Sequence, residues 1–242
     1  MVLVHGAPDR SKNFAHVVHQ LSDLPLTVYD RRGYGKSLAA GEMGGGFETH
    51  AEDLIALLDG TPAVVVAQSA GGSIAMLAAT RAPELFLALG VWEPPMVAWD
   101  WGVWPEEWQE TVSWAMYTDT EALGEVFNRR ILGEERWQQI ADRTKELLRA
   151  EGAAFRADMS SQIHPFCDLD LLKVPFVVGC GTETHDPRFQ LAYRSLAELT
   201  RAELYVGEGA DHFAHTNHPE AWVGLVRATI ALARRGDHEE SR

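Results

Sequence analysis

Six short apolar runs, each closed by turn residues and followed by a longer amphipathic stretch, constrain this chain more than any other feature. They are VLVH (2–5), LTVYD (26–30), AVVVAQ (63–68), LFLALGVWE (85–93), PFVVG (175–179) and AELYVG (202–207). That alternation predicts a parallel α/β sheet with right-handed crossovers. Helices are predicted over Lys12 to Leu21 and over Glu48 to Leu58, where Ala51, Leu54, Ile55 and Leu58 fall at helical spacing. Pro83 should stop the helix after the third run, and Pro219 to Arg235 should form a closing helix. Gly41 to Phe47 (GEMGGGF) reads as a short flexible loop.

The rhythm breaks between Pro94 and about Leu172, where the pattern is helical and rich in Glu, Arg and Trp. We read 94–172 as a helical cap inserted into a core made of 1–93 and 173–242. The insertion carries Trp99, Trp101, Trp104, Trp108, Trp114 and Trp137, six of the eight tryptophans in the chain. Each could simply pack the cap onto the sheet. As a group beside Pro94 and Pro95, they are expected also to line an apolar cavity.

At 242 residues, with 46% hydrophobic and 23% charged positions, the chain suits one soluble domain with an insertion. A formal net charge of -14 repels phosphate backbones and argues against a nucleic-acid partner. Two cysteines, Cys167 and Cys180, make no disulfide framework and are expected as free thiols in a reducing compartment. No signal-peptide pattern and no run of about 20 apolar residues is present, so a cytoplasmic location without membrane contact is expected.

The third run leads into Ala67-Gln68-Ser69-Ala70-Gly71, a G-x-S-x-G pattern with alanine at its first glycine. Such a strand-to-helix turn exposes a serine hydroxyl at the top of a sheet. A hydroxyl needs a neighbouring base, and the base needs an orienting group. The loop after the last apolar run, GEGADHFAHTNHPEAW (207–222), holds His212, His215 and His218. His212, first after the small-residue turn, is the expected base; His215 and His218 read as surface or capping residues.

With these features the sequence resembles the α/β-hydrolase superfamily over almost its whole length. Leu3-Val4-His5-Gly6-Ala7-Pro8 is similar to that family's His-Gly strand end, and Asp30-Arg31-Arg32-Gly33-Tyr34-Gly35-Lys36-Ser37 to its D-x-R-G-x-G-x-S loop. The resemblance implies an oxyanion hole from the backbone N–H groups of Ala7 and Ala70, where losing one donor typically costs about 2.7–4 kcal/mol. It also implies a sheet of about six strands, mostly parallel, because the two antiparallel strands that normally precede the His-Gly strand are missing. VLVH would then lie near an edge, which a homodimer could cover. The Asp30–Ser37 loop is taken as structural, with Arg31 or Arg32 as an alternative substrate contact.

The family's usual acid, an Asp after the strand PFVVG, is replaced here by Cys180-Gly181-Thr182-Glu183-Thr184-His185-Asp186. Glu183 is one candidate, whereas Asp186 before Pro187 looks like a helix cap. The favoured candidate is Glu93, in Val91-Trp92-Glu93-Pro94-Pro95, 24 residues past Ser69. A carboxylate there needs a buried partner, and lactone hydrolases similar to the zearalenone-opening type carry their acid at this strand end.

The expectation is a metal-free and cofactor-free serine hydrolase acting on a carboxylic ester or lactone of an apolar small molecule through an acyl-enzyme. Substrate contacts are expected from Gly6, Gln68, Trp92, Trp99, Trp101 and Trp104. A C–C bond hydrolase or a perhydrolase would use the same triad, and a non-catalytic small-molecule-binding homologue is the alternative of another class.

Overall fold

A computed structural model describes residues 1–39, 46–96, 99, 106–184 and 186–240. Its frame is one six-stranded sheet with strands β1 (Val2–Val4), β2 (Thr27–Val28), β3 (Ala63–Gln68), β4 (Phe86–Trp92), β5 (Phe176–Gly181) and β6 (Glu203–Gly207). The order is β2-β1-β3-β4-β5-β6, and every neighbouring pair is parallel. The ends of the predicted runs fall within two residues of the ends of these strands. β2 is much shorter than LTVYD suggested, because only Thr27 and Val28 pair with β1 and both are exposed at the edge. β1 lies one strand in from that edge.

On one face lie α2 (Gly46–Leu58), α3 (Ala70–Arg81) and α9 (Pro187–Thr200). Leu54, Ile74 and Leu196 are fully buried there with Val65, Leu89 and Val178 of the strands. On the other face, α1 (Ala15–Gln20) and α11 (Pro219–Glu240) bury Val17, Trp222 and Leu225 against Leu3, Val66 and Val177. Helices on both faces make the central strands apolar throughout. They also explain α3, in which every residue from Ala70 to Ala79 is buried. That helix ends at Arg81, before Pro83, as the sequence predicts. Of the loop expected at 41–47, residues 41–45 lie outside the described ones, while Gly46 and Phe47 already belong to α2.

Between β4 and β5 run α4 (Glu106–Tyr117), α5 (Thr120–Leu132), α6 (Glu134–Gln139), α7 (Asp142–Ala150) and α8 (Gly152–Ser160). Of these, α4, α5 and α8 share a small core of Val112, Ala115, Leu123, Phe155 and Met159, against which Ala7 of the loop after β1 packs. Two buried ion pairs tie the insertion to that part of the sheet. Glu151 accepts Nε and Nη2 of Arg10 at 2.7 and 2.5 Å, and Asp158 lies 2.9 Å from Nη2 of Arg31. A short α10 (Ala214–Asn217) completes the chain between β6 and α11.

Removing one partner of a buried pair leaves a charge without compensation, which costs about 3–5 kcal/mol. Asp158→Ala is therefore expected to lower Tm by on the order of 10 °C in a scanning calorimeter. An unchanged Tm would contradict this account of how the insertion is held.

Candidate active site

The parallel register brings the C-terminal ends of β3, β4 and β5 level. Gln68 pairs with Trp92, and Trp92 with Gly179. One residue further, the Ser69 N–H donates to the Trp92 carbonyl (2.8 Å) and the Glu93 N–H to the Gly179 carbonyl (2.9 Å). Ser69 and Glu93 thus leave adjacent strands side by side. Both have positive φ, 50° and 45°. For residues with a Cβ this backbone is strained, and such strain concentrates at functional sites.

Ser69 precedes the first turn of α3, whose free N–H groups and dipole favour negative charge. Gly71 is dictated by space, because a Cβ there would stand 2.4 Å from the His5 carbonyl oxygen. Ala67, in place of the usual elbow glycine, is fully buried in the core. Ala70 opens α3, and Ala7 lies at the seam between the sheet and the insertion.

His212 joins the two strand ends. Its Nε2 lies 3.1 Å from Oγ of Ser69, and its Nδ1 2.9 Å from Oε2 of Glu93. The Glu93 side chain is 1% exposed and that of His212 33%. The other Glu93 oxygen accepts the Gly181 N–H at 2.9 Å and the Thr184 hydroxyl, whose oxygen also lies 3.0 Å from the Gly181 carbonyl oxygen. Those donors fix the carboxylate so that it takes the Nδ1–H of His212 and leaves the Nε2 lone pair facing the serine. Close by, burial first and the Glu93 charge second push the Cys180 thiol up to about 11. Both cysteines are free.

The loop carrying His212 is pinned by the residues that precede Ser69 and Glu93. Gln68 Nε2 donates to the His212 carbonyl at 2.7 Å, and Trp92 Nε1 to the Asp211 carbonyl at 3.2 Å. Gln68 is itself oriented by Trp222, whose Nε1 donates to its Oε1 at 3.1 Å. Gln68 and Trp92, both expected as substrate contacts, are 1% and 0% exposed, with their N–H donors committed to the base loop. Gly6 is buried, and a Cβ on it would meet the Ser69 Cβ at 3.1 Å, so its place is against the nucleophile's own side chain.

Among the other expected residues, Trp99 packs edge-on against Phe166 at 4.6 Å, and Trp101 and Trp104 lie outside the described residues. Trp137 is buried within the insertion, while Trp114 is 38% exposed. The alternative acid Glu183 is exposed, and its backbone N–H donates to the Ala210 carbonyl; the carboxylate at the imidazole is that of Glu93. Asp186 caps α9, accepting the Arg188 N–H ahead of Pro187. His215, expected at the surface, is 2% exposed and lies 3.0 Å from Asp9.

Arg31 and Arg32 are committed to protein partners as well. Arg32 pairs with Asp53 near the surface. Arg31, 1% exposed, donates to the carbonyls of His5 (3.1 Å) and Gly6 (2.6 Å) and to Asp158, which also accepts the Tyr34 hydroxyl at 2.7 Å. Burial opposes the Asp158 charge, but Arg31 and then His50 hold its carboxyl well below the usual range. The turn leading to Ala7 is thereby fixed from behind.

His5 belongs to the same cluster. Its Nε2 accepts the Arg31 N–H at 2.8 Å, and its Nδ1 lies 2.8 Å from the Gly6 carbonyl, an arrangement for a neutral ring. Burial first and the Arg31 charge second lower its pKa from 6.5 to about 3. The unfolded chain therefore binds the proton more readily. The stability His5 contributes is complete above the unfolded pKa and is lost as pH falls from there toward the folded value. We expect about 2 kcal/mol of loss between about pH 6.5 and 5, from one proton at about 1.4 kcal/mol per unit. Urea midpoints measured against pH should show this slope, and His5→Gln should flatten it. Equal slopes in the two proteins would contradict the assignment.

The alpha/beta hydrolase family model matches residues 1–225. The chain belongs to the alpha/beta hydrolase family. Lipase LipV of Mycobacterium tuberculosis (strain ATCC 25618 / H37Rv) is 30% identical over 97 residues, covering 39% of this chain and only 36% of that protein. Two solved structures illustrate how far the fold alone reaches. A thermophilic esterase from Thermogutta terrifontis superposes with a TM-score of 0.69 at 18% identity, over 96% of this α/β-hydrolase and 89% of that chain. A haloalkane dehalogenase loop variant from Bradyrhizobium elkanii gives 0.71 at 20% identity, over 99% and 91%. One frame thus hosts proteins named for different chemistries, and the site must decide between them. Among the described residues no helix is long and apolar enough to cross a membrane, and no group of three or more His, Cys, Asp and Glu is placed to hold a metal ion.

Proposed function

We propose that this α/β-hydrolase cleaves carboxylic esters or lactones of apolar small molecules through an acyl-enzyme. The observation that carries the reading is the unbroken chain from the Ser69 hydroxyl through His212 to Glu93. In this reading, Nε2 of His212 takes the hydroxyl proton as Oγ attacks the substrate carbonyl. The carbonyl oxygen becomes an oxyanion facing the N–H groups of Ala7 and Ala70. The same imidazole then protonates the leaving alkoxide, and a water attacks the acyl-enzyme by the reverse route. Glu93 keeps the tautomer and stabilises the imidazolium. A serine at the elbow supports acyl transfer over a mechanism that begins with an aspartate nucleophile.

Support for an apolar acyl group comes from the surroundings of Ala7. That residue packs against the cluster of Val112, Phe155 and Met159 in the insertion, which in this reading is a cap over the site. The lipase and esterase named among the similar proteins agree with the reaction class. Assay against p-nitrophenyl esters of two to eight acyl carbons and against aliphatic and aryl lactones tests the reading. Turnover that rises with acyl chain length and disappears in Ser69→Ala is expected. Binding of these compounds without turnover, undiminished in Ser69→Ala, would replace it with a non-catalytic ligand-binding role.

A further inference from the structure

The turn that carries Ala7 is held at its far end by the base loop. Asp9, two residues past Ala7, places Oδ2 3.0 Å from Nε2 of His215, with the two side chains 10% and 2% exposed. Its Oδ1 accepts the Arg10 N–H at 2.8 Å and the Asn13 amide at 2.5 Å. His215 stands in α10, three residues past His212. Its ring packs on Phe14 at 5.2 Å, and Phe14 on Trp222 at 4.9 Å. Trp222 donates to Gln68, and Gln68 donates to the carbonyl of His212. A closed path of contacts therefore runs from the Ala7 turn through His215 and back to the base.

Burial works against the charge on Asp9, but the contact with His215, followed by His5 and the Arg10 N–H, holds the carboxyl well below its ordinary range. A buried charge tolerates displacement of its partner poorly, so this contact resists separation of the two loops. The two groups it joins serve different steps. Oxyanion donors work only at about 2.7–3.1 Å from the developing oxygen, and the base only within hydrogen-bond reach of the nucleophile.

We propose that Asp9 and His215 form a positioning pair that locks the turn bearing the Ala7 N–H to the loop bearing His212, so that proton transfer and oxyanion stabilisation share one rigid frame. The proposal rests on the hydrolase reading above, with Ala7 as an oxyanion donor. Neither residue touches substrate. Loss of the pair loosens transition-state geometry and leaves ground-state binding of an apolar acyl group as it was. kcat should therefore fall without a matching rise in KM.

The test is p-nitrophenyl butyrate kinetics, with the Ki of phenylboronic acid as a reporter of tetrahedral geometry, on wild type, His215→Leu, His215→Gln and Asp9→Asn. His215→Leu should lower kcat by about 100-fold, the scale of a misplacement near 1 Å, raise the boronic acid Ki by about the same factor, and leave KM nearly unchanged. His215→Gln, whose amide can reach Asp9 as Nε2 does, should recover most of both losses. A folded His215→Leu with wild-type kcat and Ki would overturn the proposal, as would a loss shared by KM and not rescued by Gln. If His215→Leu does not fold, the near-isosteric Asp9→Asn decides. A fall in kcat with a parallel rise in Ki supports the pair, and unchanged values overturn it. A wild type that neither turns over the ester nor reacts with a fluorophosphonate overturns the hydrolase reading and this proposal together. Turnover in the wild type with insensitive variants removes the proposal alone.

Discussion

Glu93→Gln is expected to lower kcat by about four orders of magnitude, the scale of a triad whose imidazole is held in the wrong tautomer. The direction follows from the partners of Glu93. Its Oε1 position faces two donors, the Gly181 N–H and the Thr184 hydroxyl. The carbonyl oxygen of a glutamine will settle there, which turns the amide NH2 toward Nδ1 of His212. An NH2 facing Nδ1 makes that nitrogen an acceptor, so the ring proton moves to Nε2, where the serine proton must go. KM should change little, because the acid does not meet substrate. Glu183→Gln, at an exposed position with no contact to the imidazole, should leave kcat as it is. Steady-state kinetics on the two variants checks this, and equal or reversed losses would move the acid away from β4.

Ser69→Ala and His212→Ala should each remove roughly 10⁶ of kcat, since nucleophile and base act as one unit and losing either disables both. Ser69→Ala places a side chain of similar size at the same positive φ, so its Tm should stay near that of the wild type. Its substrate affinity should also persist, because the hydroxyl forms its bond in the transition state. An inactive, folded Ser69→Ala that still binds substrate separates loss of chemistry from loss of structure. A Ser69→Ala enzyme with wild-type turnover would contradict the account outright.

The sheet was legible because buried parallel strands must be apolar on both faces, and five of the six runs sit almost where the ladder does. β2 was the exception, since it pairs over two residues at an exposed edge and periodicity does not report where a ladder stops. Ser69 and Glu93 stood out for local reasons: a small-residue elbow, and a carboxylate ending an apolar strand before two prolines. Their supports did not. Thr184 reaches Glu93 across 91 residues of sequence and Arg31 reaches Asp158 across 127. Nothing in the local pattern of either segment signals such a pairing.

His215 shows the limit most clearly. By sequence it is one of three histidines in a polar loop, and its burial is set by Phe14 and Asp9, far away in the chain. The support that Gln68 and Trp92 give the base loop was equally hidden. Both donate to backbone carbonyls of the base loop, at His212 and Asp211, 144 and 119 residues away in sequence, and no local pattern announces such a bond.

The account stands on Ser69 being a nucleophile activated by His212, and a fluorophosphonate probe reads that property without knowledge of the substrate. Purified wild type should take up one adduct per chain, located at Ser69 by peptide mass spectrometry. Labelling should vanish in Ser69→Ala and His212→Ala and slow strongly in Glu93→Gln. A folded wild type that acquires no adduct, or one that labels equally fast without His212, would contradict it.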